Sequence, residues 1–318
     1  MSDPFRVAVV GAGYLGRFHA LIYSRMSGVE LVGVVDTDPT RAAEVAAEAG
    51  CAPFTSSDAI IDHVDAVSIV VPTSLHLEAA SPFLARGLPV MLEKPIAADL
   101  VEATAIVRLA RENGALLQIG HVERFNAGVM ALAERIESPL YIEAQRMGGF
   151  VERATDVDVV SDLMIHDIDI ILSLVGARIT DIAAVGASVL TEHVDIASAR
   201  LAFANGTVAN VVASRVSDKT TRRIRVFQPG RYLSLDFIAQ TIDIAETRAV
   251  AGAARPEIVR ERIEVAPVKP LDRELAEFVR CVREGRPPLV DGQTGLEALE
   301  VALEVRARIG GGVVRGEG

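Results

Sequence analysis

The sequence predicts an α/β protein: a doubly wound parallel sheet at the N-terminus, then an α+β domain with a large, mostly antiparallel open sheet. Three observations carry this. Residues 5 to 120 alternate short β-branched runs with amphipathic segments, the rhythm of strand, helix, strand. The first run ends in Gly11-Ala12-Gly13-Tyr14-Leu15-Gly16, a glycine-rich turn into a helix. After residue 120 the rhythm changes to successive strand-like runs punctuated by Asn205-Gly206 and Pro229-Gly230. The expected domains are therefore 1–120 and 121–318.

Within the first domain, residues 7–10, 31–35, 66–71, 89–92 and 116–119 read as buried parallel strands. Segments 14–26, 40–49, 76–86 and 99–112 carry apolar residues at helical spacing, the last opened by Asp99 as N-cap and stopped near Gly114. In the second domain, helices are expected near 127–136, 160–175, 271–283 and 294–308. Strands are expected at 140–147, 182–190, 197–204, 207–214, 222–228, 231–237 and 241–246. One sheet face needs cover beyond the helices, and Val189, Leu201, Phe203 and Val211 or their neighbours are its expected residues. A homo-oligomer joined through this sheet follows, because an exposed apolar face of that size is unusual in a monomer.

The chain has 318 residues, 50% hydrophobic, with no Trp. Its formal charge of -11 argues against a nucleic-acid partner, which needs clustered Lys and Arg. Cys51 and Cys281 form no C-x-x-C, so neither a disulfide framework nor a zinc knuckle is indicated. No stretch approaches the roughly 18 apolar residues of a membrane span, and the first apolar run lacks the basic flank of a signal peptide. A cytoplasmic protein is expected.

The glycine turn has the context that dinucleotide binding requires. Gly11 permits the tight turn, Gly13 lets a pyrophosphate approach the backbone, and Gly16 lets helix and strand pack closely. The helix opened by Tyr14 and Leu15 offers unpaired N–H groups and a positive dipole end to the phosphates. Asp36 lies twenty residues past Gly16 at a strand end, where a carboxylate accepts both ribose hydroxyls and repels a 2′-phosphate. NAD is therefore expected rather than NADP. Pro72 and Thr73, closing the strand 66–71, are expected beside a ribose of the cofactor. His76 is expected to be structural or close to the cofactor. His19 offers no pattern.

Two further groups carry chemistry. Glu93-Lys94-Pro95 ends an apolar strand, so Lys94 points to the side where such sheets hold ligands. Proline after it restrains the Lys94 backbone. Asp162 and His166 stand at i and i+4 in a helical stretch, with Asp169 three residues on and able to orient the ring. Imidazole suits a general base near neutrality. A metal is the other reading of Asp162, His166, Asp169, His121 and Glu123, but no zinc signature has this spacing.

Together, Gly11–Gly16, Pro72-Thr73 with His76, Glu93-Lys94-Pro95 and Asp162-x-x-x-His166 with Asp169 resemble the Gfo/Idh/MocA oxidoreductases over almost the whole chain. The resemblance implies an N-terminal Rossmann domain and a C-terminal open sheet used for oligomerisation. It implies that Lys94, Asp162 and His166 are the catalytic group, and that Glu93 and Pro95 line the nicotinamide side. Gly120-His121-Val122-Glu123-Arg124-Phe125-Asn126, with residues 162–169, resembles the branch containing UDP-N-acetylglucosamine 3-dehydrogenases. That branch oxidises the sugar 3-hydroxyl to a ketone, which an aminotransferase then converts during lipid A precursor synthesis. Either Lys94 or His166 would be the base, the other polarising the substrate oxygen. For a nucleotide sugar, Arg124 and Asn126 are the diphosphate candidates, with Arg146 and Arg153 behind them and Asp169 in the substrate-binding group. Two readings stay open beside it: a dehydrogenase of another polyol (inositol, a free aldose or a sugar acid), and an NAD-binding regulator without turnover.

Overall fold

The computed structural model describes residues 3–150, 157–250, 255–266 and 268–311. It divides into two compact units, residues 1–122 with 269–299, and residues 123–268 with 300–318.

The first unit runs β1 (Phe5–Val10), α1 (Tyr14–Ser24), β2 (Val29–Val35), α2 (Pro39–Ala49), β3 (Ala52–Phe54) and β4 (Ala66–Ile69). It continues with α3 (His76–Leu84), β5 (Val90–Glu93), α4 (Leu100–Glu112) and β6 (Leu117–Gly120). All six strands are parallel in the order β3-β2-β1-β4-β5-β6. This is the Rossmann order, in which ligands lie beyond the carboxyl ends of the strands near the β1/β4 switch. Strands β1, β4, β5 and β6 are buried on both faces, hence their mostly apolar runs. β3 was not expected, because Ala52-Pro53-Phe54 is a three-residue edge with no apolar run.

In the second unit come α5 (Ala127–Ala133), β7 (Tyr141–Met147), α6 (Ile165–Val175), β8 (Ile179–Ala187), β9 (Ile196–Phe203) and β10 (Val208–Ser214). Then follow β11 (Thr221–Gln228), β12 (Arg231–Asp236), β13 (Thr241–Arg248) and β14 (Glu257–Glu264). Two helices follow, α7 (Pro270–Glu284) and α8 (Gly292–Gly311).

Residues 269–299, expected in the second domain, group with the first unit. The reason is burial. Leu275, Phe278 and Val279 on one stripe of α7 join a core with Val7, Val9, Tyr23, Val34 and Met91. Burying Leu275 or Phe278 contributes roughly 1.5–3 kcal/mol each. Helical periodicity reveals such a stripe but not which sheet receives it.

The eight strands of the second unit are ordered β14-β13-β12-β11-β7-β10-β9-β8, with only the β7–β10 pair parallel. One face carries Ile142, Ala144, Leu201, Phe203, Ala209, Val211, Ile224, Val226, Leu233 and Ile242, all buried. Helix α6 packs on β7 and β10, and α5 on β12 and β13. Leu201, Phe203 and Val211 therefore lie under the helices, correcting the expectation that they form the uncovered face. Period-two alternation separates two faces without saying which one the helices choose. The opposite face is mixed. Tyr141, Phe227 and Tyr232 form a cross-strand aromatic ladder with centroids 5.6 and 4.9 Å apart. Arg225 pairs with Glu143 beside it at 2.7 Å. β14 was not expected either: its sequence Glu-Ile-Val-Arg-Glu-Arg-Ile-Glu lies largely exposed on an edge.

Candidate active site

The glycine turn between β1 and α1 is built by exclusion. Gly11 has φ +103°, and a Cβ there would stand 2.3 Å from the Val70 carbonyl oxygen. A Cβ on Gly16 would stand 1.8 Å from the Gly11 carbonyl oxygen. Both positions are closed to any side chain. Gly13 differs, with nothing within 4 Å of its virtual Cβ, so the backbone there faces open space. As the N-cap of α1, Gly13 provides no side-chain bond to the helix N–H groups. Tyr14 and Leu15 are exposed at the same end. An open backbone at a free helix N-terminus is what a diphosphate requires, and the turn fits NAD.

Asp36 follows β2 and accepts the Ala12 N–H at 2.8 Å, the Asp38 N–H at 2.9 Å and Arg41 Nη2 at 3.0 Å. Burial works against its ionisation, but these donors outweigh it and hold the carboxyl below its usual range. Through the Ala12 N–H it braces the glycine turn.

Past the ends of β4 and β5 lie Pro72-Thr73 and Lys94-Pro95. Thr73 opens a short 3₁₀ turn leading into α3. The Lys94–Pro95 peptide is cis. His76 is 1% exposed, with Nε2 3.1 Å from the Val71 carbonyl oxygen and Nδ1 3.2 Å from that of Ile96. Its ring lies between these two loops and, when neutral, donates its single N–H to one of the two carbonyls. Glu93 is also turned inward, bonded to His19 at 3.1 Å. Lys94 and Pro95 remain half-buried at the strand end.

In the second unit the Asp162 stretch departs from the expected α-helix. Val160–Met164 is a π-helical turn, with α6 beginning at Ile165. Such turns are rare and recur at functional sites. Asp158 caps it, accepting the Val160 and Ser161 N–H groups at 2.9 and 3.0 Å. Asp162 and His166 are half-buried, whereas Asp167 and Asp169 are buried.

Those two aspartates are held by arginines. Arg124 Nη1 donates to Asp169 Oδ1 at 3.2 Å. Arg146 bonds Asp167 twice and Glu123 once. Burial opposes the charge on Arg146, but Asp167 and Glu123 hold its proton more firmly than usual. Arg146 is therefore an internal brace and not a reserve cation for phosphate. Asn126 is spent as well: its side-chain oxygen accepts the Gly128 N–H at 2.9 Å as N-cap of α5, and its amide donates to Glu123 at 3.3 Å. Of the residues expected to meet a diphosphate, Arg124 keeps 12% side-chain exposure, and Arg153 lies outside the described residues. Among the described residues, no three His, Cys, Asp or Glu side chains are grouped to hold a metal ion. The contacts of His19 with Glu93, and of Glu123 and Asp167 with Arg146, were not expected from the sequence, because partners so far apart along the chain share no local spacing.

Fold and loop together define an oxidoreductase with an NAD-binding Rossmann domain. Residues 5–121 match the family described as "Oxidoreductase family, NAD-binding Rossmann fold", and residues 118–228 match the GFO/IDH/MocA C-terminal domain. The chain belongs to the Gfo/Idh/MocA family. It is 41% identical over 305 residues to UDP-N-acetylglucosamine 3-dehydrogenase of Acidithiobacillus ferrooxidans, covering 96% of this chain and 97% of that one. A solved structure of that enzyme superposes with TM-score 0.93 at 39% identity, covering 99% of this chain and 100% of the other. Inositol 2-dehydrogenase of Corynebacterium glutamicum is 34% identical over 57% of each chain.

Proposed function

We propose that the protein oxidises a hydroxyl of a nucleotide sugar to a ketone with NAD, the substrate being UDP-N-acetylglucosamine and the position its 3-hydroxyl. The observation that carries this reading is the extent of likeness. Identity of 41% to the A. ferrooxidans enzyme runs across 96% of the chain, through both units, whereas the 34% likeness to the C. glutamicum inositol dehydrogenase covers 57%. The part outside the cofactor domain is where a substrate class is decided.

NAD supplies the hydride acceptor at its nicotinamide C4. The rest of the chemistry belongs to side chains. His166 takes the proton of the reacting hydroxyl, and the Lys94 ammonium stabilises negative charge as it develops on that oxygen. Lys94 as base, with His166 donating to the oxygen, is the converse assignment. Asp162 fixes the imidazole tautomer or holds a neighbouring hydroxyl. Arg124 keeps further N–H donors for a substrate oxygen after serving Asp169. A 3-keto sugar suits consumption by an aminotransferase, as in lipid A precursor assembly.

The reading extends to a homo-oligomer joined through the open face of the eight-stranded sheet, with the Tyr141–Phe227–Tyr232 ladder at its centre. A monomer by light scattering would remove that part. A cytoplasmic location accompanies it, since Cys51 and Cys281 are free thiols suited to a reducing compartment.

The test is NADH absorbance when UDP-N-acetylglucosamine is added to near-stoichiometric enzyme with excess NAD. A burst that is absent with myo-inositol and absent in Lys94→Ala is expected. NAD binding without any burst would retain the family and discard the substrate.

A further inference from the structure

The π-helical turn at the head of α6 has a brace for which the proposed chemistry has no use. Asp158, just before it, is buried, and both of its carboxylate oxygens are held. Oδ1 accepts the N–H groups of Val160 and Ser161 at 2.9 and 3.0 Å. Oδ2 accepts the Ser161 hydroxyl at 3.1 Å and forms an ion pair with Arg306 of α8, whose Nε is 3.0 Å away. The backbone is fixed as well. The Asp158 carbonyl accepts the Asp162 N–H at 3.1 Å, and the Val159 N–H reaches the Val194 carbonyl at 2.9 Å.

This turn decides a direction. An α-helix closes i→i+4 bonds and a π turn i→i+5 bonds, so a π turn advances less about the axis with each residue. His166 stands in α6 proper, where Ile165, Ile168, Ile170 and Ile171 are buried and the helix packs on β7 and β10. Asp162 stands in the π turn. The direction of Asp162 relative to His166 therefore depends on the turn keeping its rare π form.

We propose that Asp158 is a positioning residue: by capping the π turn it sets the direction of Asp162 relative to His166. The proposal rests on the reading of Asp162 and His166 as the side chains that handle the hydroxyl proton. Its physical basis is the demand of the first N–H groups of a helical segment for acceptors. Deprived of the Asp158 oxygens, the turn loses two of them and relaxes toward the ordinary α-helix. Asp162 then swings about the axis while the packing of α6 keeps His166 in place.

The chain contains 6 histidines, so the imidazole Hε1 signals of the whole protein are few in an NMR titration, and His166→Gln identifies the one from His166. In Asp158→Ala that signal should titrate about half a pH unit or more away from the wild type, because a carboxylate has moved relative to it. In an Asp162→Asn background the same change should move it by less than about 0.2 unit. Asp158→Asn keeps an acceptor for the two N–H groups without the charge and should restore the wild-type titration. Asp158→Glu keeps the charge but sets its oxygens one methylene too far out, and should behave like Asp158→Ala. Turnover in Asp158→Ala should fall about tenfold, with KM and NAD affinity held within about twofold. An unchanged His166 titration in both Asp158→Ala and Asp158→Glu, with only the melting temperature lowered, would overturn the proposal and leave Asp158 a cap. So would a shift that persists with Asp162→Asn, or one that Asp158→Asn fails to reverse. If Asp158→Ala does not fold, the Asp158→Glu titration decides alone. The titration needs no substrate, so an error in the sugar assignment leaves its outcome intact.

Discussion

Arg146 grips Asp167 with two hydrogen bonds, Nε to Oδ2 at 3.0 Å and Nη2 to Oδ1 at 2.9 Å, one residue beyond His166. The same guanidinium donates from Nη1 to Glu123 at 2.7 Å. Both members of the first pair are less than 5% exposed, so their mutual neutralisation is what makes burial tolerable.

Arg146→Met should consequently destabilise the protein by about 3–5 kcal/mol, since it strands a buried carboxylate. Arg146→Lys should recover only part of this, because an ammonium cannot reproduce the fork. Urea denaturation measures both. A loss below about 1 kcal/mol in Arg146→Met would mean that Asp167 is not held as a charge.

Glycines 13 and 16 should respond in opposite ways to alanine. Gly16→Ala collides with the Gly11 carbonyl 1.8 Å away and should lower the melting temperature by several degrees. Gly13→Ala meets nothing within 4 Å and should leave melting nearly unchanged. Its methyl group instead occupies the space a diphosphate would enter, so NAD affinity should fall at least tenfold by calorimetry. Normal affinity in Gly13→Ala would move the diphosphate elsewhere.

Asn126 is a cap, so Asn126→Ala should cost about 1 kcal/mol of stability. Asn126→Asp, which keeps the acceptor for the Gly128 N–H, should cost less unless it is repelled by Glu123. The KM for a nucleotide sugar should stay within about threefold in Asn126→Ala. A larger rise would return Asn126 to the substrate.

His76 predicts an acid-side loss of stability. Burial disfavours its imidazolium and lowers its pKa below the usual 6.5, although the Ile96 and Val71 carbonyls favour the charge. The unfolded chain therefore takes up the proton first, so this contribution is full above pH 6.5 and diminishes as pH falls toward the lower native value. Between pH 7.5 and 5.5 the wild type should lose more of its urea midpoint than His76→Gln does. Equal losses would exclude His76 as the source.

The cofactor end of this protein was legible in the sequence because its determinants are local. Gly11, Gly13 and Gly16 adjoin one strand–helix turn, and Asp36 ends the next strand, so spacing alone locates them. Period-two and helical patterns likewise marked most strands and helices. Strands β3 and β14 escaped because short or exposed edges bury too little to impose a pattern. Tertiary structure alone decided three things. It returned α7 to the first sheet, since an apolar stripe does not name its partner. It reversed which sheet face holds Leu201, Phe203 and Val211, since alternation is symmetric until helices break the symmetry. And it gave Arg146, Asn126 and His76 partners inside the fold. A polar side chain's role depends on whether a buried counter-group reaches it first, and residues as distant as Arg146 and Asp167, or His19 and Glu93, meet only once the chain has folded.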